Sequence, residues 1–284
     1  MKTKTLVIIL NHNLPEYTDR LYLNLVDFQA DFYDLLVMDN GSKPEYLSQF
    51  TGVKLERNLY WGGALNEAFR MVLETELYDS LLFLNNDIEV NGEVFVRSLR
   101  HELFMGDYAI VSPCIAGNAK PWRQMQNWGS NKTRDVKWVD LQSPLIHRKL
   151  IEVIRKFDDA LYYGWGQELI SSDVCAEKSW RVGVCDHISI VHYWKQTVMQ
   201  QRLFSSHGQN ITEDEETVGV DNFEKLAWTC YVNYFEEHLL KYGTFDDLRA
   251  YGESYTFKSE FPNSSSGIRR YIPESILRHF LRNS

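Results

Sequence analysis

At 284 residues, 44% of them hydrophobic, the chain is long enough for one large domain with an appendage and supplies a sizeable core. A net charge of -9 argues against a nucleic-acid binder, whose footprint would be basic, although an acidic protein can still take a polyanionic small molecule if a metal neutralises it. No run approaches the roughly 20 apolar residues of a membrane span, and the apolar run after Met1-Lys2-Thr3-Lys4 is too short for a signal-peptide core, so the expected address is cytoplasmic.

Thr5 to Leu10 is an apolar, β-prone run ending in Asn11-His12-Asn13 and reads as a first buried strand. Asn13-Leu14-Pro15-Glu16 then offers a helix cap with glutamate three residues on and proline in the first turn, and Tyr17, Leu21, Leu25 and Phe28 fall on one helical face. Leu35 to Met38 repeats the logic and ends on Asp39-Asn40-Gly41-Ser42, after which Ser42-Lys43-Pro44-Glu45 reads as a second capping box. Val53 to Glu56 is a short third strand and Asn58 to Gly63 a loop, while Leu65, Ala68, Phe69, Val72 and Leu73 are spaced for a helix. Leu81-Leu82-Phe83-Leu84 then delivers Asn85-Asn86-Asp87, a carboxylate behind two amides, to a strand tip.

Strands alternating with helices predict an α/β fold, a mostly parallel Rossmann-like sheet with helices on both faces. Ligands then bind at the carboxyl ends of the strands, which here carry Asn11, His12, Asp39, Asn40, Asn58 and Asp87, a set suited to a nucleotide and a cation. Neither GxGxxG nor GxxxxGK[ST] occurs, so nicotinamide and P-loop readings lose their main support. Cys114, Cys175, Cys185 and Cys230 show no CxxC pairing and read as small buried thiols.

Four segments in order, Val7 to Asn13, Val37 to Ser42, Asn58 to Asn66 and Leu84 to Asp87, resemble the nucleotide-sugar half of family 2 glycosyltransferases with the GT-A fold. The resemblance implies that Asp39 contacts the base or ribose, that Asp87 binds a divalent cation bridging the diphosphate, and that Gly62, Gly63, Asn66 and Asn86 belong to the donor site. The chain departs from the pattern in having one carboxylate rather than two in Asn85-Asn86-Asp87, and in having Tyr60 and Ala68 where that family often has glycine.

In the second half, Phe95, Leu99 and Leu103 form a helical stripe, and Tyr108 to Val111 reads as a strand. Trp122, Trp128 and Trp138 are interleaved with polar residues between Gly117 and Gln142, and aromatic platforms beside amides suit sugars, although core tryptophans fit as well. After Leu145-Ile146 and a helix over 149–157, Trp165-Gly166-Gln167-Glu168 resembles the acceptor-side motif of GT-A transferases, with Trp165 and Gly166 under the acceptor. Glu168 is then the expected general base and Asp173 the candidate behind it, because Leu169 stands where related motifs carry aspartate. His192 ends the apolar run Ile188 to Val191, and Mn²⁺ or Mg²⁺ short of a carboxylate would need another ligand. It lies 24 residues (192 - 168) past Glu168, where the resemblance places a metal-binding histidine.

The resemblance covers roughly residues 5–192 and implies a GT-A domain over 1–196, divided into a nucleotide-sugar half (1–90) and an acceptor half (91–196). A loop and mainly helical extension follows over 197–284. In that extension, Glu213 to Glu216 reads as a solvated loop and Phe223 to Leu239 as a long helix. The tail places Arg269, Arg270, Arg278 and Arg282 among Ile272, Ile276, Leu277 and Phe280, a basic amphipathic pattern that suits peripheral membrane contact, packing on the main domain or an oligomer contact. The expectation is a metal-dependent hexosyltransferase-type enzyme of polysaccharide or glycoconjugate synthesis, using a UDP- or dTDP-sugar donor and a glycan or lipid-linked acceptor. The alternatives are a non-catalytic nucleotide-sugar- or glycan-binding module and a nucleotidyltransferase; the second should show a Gly-rich phosphate loop near the first strand, and none is present.

Overall fold

The computed structural model describes residues 3–27, 31–116, 122–164 and 166–193. The chain divides into two compact units, 1–200 and 201–284, and all described residues belong to the first. The helix expected at 223–239 and the basic tail therefore lie outside the described residues, as do Phe28, Trp165 and Cys230.

β1 (Lys4–Asn11) is buried along seven of its eight residues, and β4 (Tyr78–Asn85) is buried from Ser80 to Leu84. A strand buried on both faces needs cover on both, which is why these runs are continuously apolar rather than alternating. β1 lies between β2 (Tyr33–Asp39) and β4, parallel to each, and β3 (Thr51–Lys54) continues the parallel set beyond β2. On the other side of β4 comes β8 (Leu145–His147), antiparallel to both β4 and β6 (Tyr108–Ala116), and β6 pairs parallel with β9 (Arg181–His192). Two short strands, β5 (Ile88–Glu89) and β7 (Thr133–Asp135), add to β9 in antiparallel fashion. The sheet order is β3-β2-β1-β4-β8-β6-β9-β5, with β7 off this path.

The helices form two groups: α1 (Pro15–Leu25) packs with α3 (Gly92–Met105), and α4 (Arg148–Ile154) packs with α2 (Tyr60–Leu73) and α5 (Gln167–Glu177). Neither expected capping box forms. Asn13 adopts φ +56°, so its Oδ1 accepts from the Lys43 backbone NH, and Ser42 Oγ accepts from the Asn13 NH. The two turns thus satisfy each other across the β1 and β2 ends instead of capping their own helices, and a 3₁₀ turn at Pro44–Tyr46 stands where the second helix was expected. The helix expected at 149–157 stops at Ile154, where Arg155 turns to φ +59°. The strands expected at 108–111 and 188–191 run on to Tyr108–Ala116 and Arg181–His192. Cys114, Cys175 and Cys185 are buried free thiols.

Candidate active site

The carboxyl ends of β1, β2 and β4 meet in a web of amides and one carboxylate. Asp39 is fully buried; its Oδ2 accepts from Asn11 Nδ2 (2.8 Å) and its Oδ1 from the Ser42 NH (2.9 Å). Asn11 Oδ1 accepts from Thr18 Oγ1, which in turn accepts from Asn86 Nδ2 (2.9 Å), so Asn86 is tied inward to α1. Nearer solvent, His12 Nδ1 donates to the Asn40 carbonyl (2.9 Å), which fixes the tautomer and leaves Nε2 as an acceptor for the Asn13 and Asn58 amides. Asn40 Nδ2 donates to Asn58 Oδ1 and to the Tyr60 carbonyl, and its Oδ1 accepts from the Leu59 NH. Tyr60 itself takes φ +55°, where glycine would sit without strain, and its ring packs on Tyr162 and Tyr163.

Three residues of the expected donor site are engaged in packing. Gly62 lies so close to the 161–162 backbone that a Cβ would fall 2.4 Å from the Leu161 carbonyl oxygen, and its NH donates to the Tyr162 carbonyl. A Cβ on Gly63 would lie 2.8 Å from that of Leu59. Asn66 spends both ends of its amide on the Phe157 backbone (2.8 and 3.0 Å), fastening α2 to the segment after α4.

At the tip of β4 the three polar residues part company. Asn85 Oδ1 accepts from the Trp61 indole NH (2.8 Å), Asn86 faces α1, and Asp87 meets His192, whose Nε2 stands 3.1 Å from Asp87 Oδ1. The pairing of β5 with β9 sets this contact, since Ile88 lies opposite His192 and the Tyr193 NH donates to the Asp87 carbonyl. Both side chains are buried. Their separation matches the roughly 3 Å between adjacent ligands of an octahedral ion with bonds of about 2.1 Å, so the pair fits two positions on a divalent cation. Among the described residues no three His, Cys, Asp or Glu side chains are close enough to enclose a metal by themselves.

Glu168 opens α5 after two glycines in left-handed conformations, Gly164 (φ +95°) and Gly166 (φ +94°). The Gly166 NH donates to Glu168 Oε2 (2.9 Å), and Trp61 fills the space beside Gly164, so one indole spans from the β4 tip to this loop. Glu168 is half-buried. Burial first, and then the negative charge of Asp140, push its carboxyl up to about 8. Asp140 is pushed up to about 6 by burial, against the opposing influence of His192. Asp140 therefore shares the electrostatic surroundings of both Glu168 and His192.

The other acceptor-side candidates make contacts of their own. Asp173 is exposed on α5, roughly 140° around the helix from Glu168. Trp122 is half-buried with its ring edge-on to the buried Trp138 (6.0 Å). Trp128 is exposed under the guanidinium of Arg134, which grips the buried Asp186 six residues before His192 in β9. Sequence reasoning missed Asp140, Gln142 and the bridging role of Trp61. The signal for the first two was the alternation Val139-Asp140-Leu141-Gln142 leading into the apolar β8; the segment turns at 141–142 beside the β4 tip, where the Gln142 carbonyl accepts from the Asn85 NH (3.3 Å).

No family model and no curated protein matches the sequence. Solved structures match in shape. The chain resembles GalNAc-T7 with UDP, GalNAc and Mn²⁺ at 13% identity and a TM-score of 0.52, covering 95% of this chain and 58% of that one, so it spans less than two thirds of that protein's length. It also resembles the mannosyltransferase PcManGT from Pyrobaculum calidifontis in complex with GDP-Man and Mn²⁺, at 12% identity and a TM-score of 0.53, covering 100% and 89% of the two chains. Identities this low establish the fold alone: a mixed, mostly parallel sheet with helices, of the GT-A type.

Proposed function

We propose that the chain is a metal-dependent glycosyltransferase that moves a sugar from a UDP- or dTDP-sugar to a hydroxyl of a glycan or glycolipid acceptor, with inversion, in polysaccharide or glycoconjugate synthesis. The observation that carries this reading is the buried Asp87–His192 pair beyond the end of β4 in a GT-A sheet, with Glu168 held at the start of α5 by the Gly166 NH as a second feature. The likeness to proteins holding a nucleotide or nucleotide sugar with Mn²⁺ supports it.

The geometry supports a role for each residue. The web of His12, Asn40 and Asn58 offers donors and acceptors to a nucleoside, while the fully buried Asp39 holds Asn11 and the 40–42 turn in place beneath it and meets a base N–H or ribose hydroxyl only where donor binding opens that turn. A divalent cation bound by Asp87 and His192 would neutralise the departing diphosphate. As the acceptor oxygen bonds to the sugar carbon and the bond to the diphosphate breaks, Glu168 takes the hydroxyl proton; its raised proton affinity lets it hold that proton, and the Gly166 NH keeps the carboxylate aimed.

A thermal-shift screen of nucleotide sugars with and without Mn²⁺ identifies the donor, because a ligand well above its Kd raises stability by about 3–4 kcal/mol. Slow Mn²⁺-dependent release of sugar from that donor into water is the expected result. A donor that binds but is neither hydrolysed nor transferred would favour a nucleotide-sugar-binding module, a reading that the single carboxylate of Asn85-Asn86-Asp87 supports.

A further inference from the structure

The segment that delivers Glu168 is closed on itself. The Gly164 NH donates to the Leu161 carbonyl (2.9 Å), the Gln167 NH to the Gly164 carbonyl (3.4 Å), and the side chain of the fully buried Gln167 reaches back to the Leu161 carbonyl through Nε2 (3.2 Å). With the Gly166 NH on Glu168 Oε2, these bonds tie the carboxylate to the 161–167 turn, so whatever places Gly164 also places Glu168.

That turn leans on the first residues of α2. The Gly62 NH donates to the Tyr162 carbonyl (2.7 Å), the Tyr60 ring packs on Tyr162 and Tyr163, and the Trp61 indole fills the space beside Gly164. The fit at Gly164 is close, since a Cβ there would fall 2.8 Å from Trp61 Cε3. The same three residues are gripped from the other side by the strand ends: the Tyr60 NH donates to Asn58 Oδ1, its carbonyl accepts from Asn40 Nδ2, and Trp61 Nε1 donates to Asn85 Oδ1 (2.8 Å). Trp61 joins both sides within one rigid ring system, whose orientation is fixed by the bond to Asn85 and by edge-on packing against Phe83 in β4 (5.3 Å).

We propose that Trp61 is a positioning residue: its indole is the spacer that sets Glu168 relative to the tip of β4, where the donor is held, so that the carboxylate meets the attacking hydroxyl in line with the sugar carbon. The inference rests on the proposed transfer with Glu168 as base. Misplacement of a reacting group by about 1 Å can cost on the order of 100-fold in rate.

The test uses the full chain with Mn²⁺ and the nucleotide sugar that stabilises it most in the thermal-shift screen. Its hydrolysis is the assay: water oxygen bonds to the sugar carbon, the bond to the diphosphate breaks, and Glu168 takes the proton as it would from an acceptor. Trp61→Phe keeps a ring against Phe83 but loses the NH and the outer ring that meets Gly164. It should lower kcat by about 10- to 100-fold with the donor KM, and the Kd of UDP with Mn²⁺ by calorimetry, unchanged. Added to Glu168→Gln, it should cost nothing further, because residues that act through one another are not additive. Gly164→Ala is the second variant, whose methyl pushes the turn off the indole and should bring the same loss; melting curves confirm that each folds. Full kcat in both folded variants, while Glu168→Gln lowers it, overturns the role of Trp61 and leaves Glu168 standing as base. The same loss in the Glu168→Gln background as in the parent, or a weakened Kd for UDP, also overturns it, by showing that Trp61 acts elsewhere. Full kcat in Glu168→Gln overturns the base and the spacer together.

Discussion

Glu168 owes its proposed chemistry to where α5 begins. Only its ionised form accepts a proton, and burial together with the Asp140 charge pushes its carboxyl up to about 8. Transfer, read as kcat/KM, should therefore rise with pH along a limb near that value. Glu168→Gln should remove the limb and lower kcat by about 10² to 10⁴ while donor binding persists. Loss of acceptor affinity at constant kcat would instead make Glu168 a binding residue and turn attention to Asp173. Asp39 makes a second test. Its two oxygens accept from Asn11 and Ser42, so Asp39→Ala strands the Ser42 NH and loosens Asn11, which keeps only its bonds to Ser42 Oγ and the Tyr46 carbonyl, and the turn beside the proposed nucleoside site loses its anchor. Calorimetry should show donor binding weaker by about 1.5–3 kcal/mol, and an unchanged donor Kd would count against this placement.

The elements show why some of this was readable in the sequence and some was not. Parallel strands buried on both faces leave continuous apolar runs, so β1, β2 and β4 and the polar residues at their ends could be read directly. The short edge strands β5 and β7 carry too few residues for a period, and the turn chemistry of Asn13 and Ser42 is spent across strands that are neighbours only in space. The same limit explains Asn66, which looks like a ligand in a motif but bonds at both ends to the Phe157 backbone. Asn66→Ala should therefore cost about 1–3 kcal/mol in denaturant unfolding. With the fold intact at low temperature, donor affinity should be unchanged; a donor Kd weakened tenfold in a variant of unaltered stability would return Asn66 to the donor site. Asp140 falls under the same limit: the alternation at 139–142 marks its segment, but the place of that segment beside the β4 tip depends on the β4–β8 pairing, which the alternation does not give.

At the scale of the whole molecule, opposing carboxyl environments set how stability depends on pH. Asp79 and Asp186 are held below the ordinary value: burial opposes their ionisation, but the hydrogen bonds and charges of Arg100 and Arg134 outweigh it. Their contribution is present above the unfolded value near 3.8 and is lost as pH falls. Glu168 and Asp140 act the other way, because the folded chain keeps protons there that the unfolded chain releases. For Glu168 the contribution is complete below the unfolded value of 4.5 and is lost as pH rises through about 8. The melting temperature of the metal-free protein should accordingly peak in mildly acid solution and decline toward pH 8, and Glu168→Gln, which has no proton to lose, should flatten that alkaline decline. Mn²⁺ with UDP should raise the melting temperature on the alkaline side, since a ligand that binds only the folded state draws the equilibrium toward it. A decline of the same slope in Glu168→Gln and the parent would show that Glu168 is not the carboxyl whose burial the fold maintains, and would remove the physical basis for its role as base.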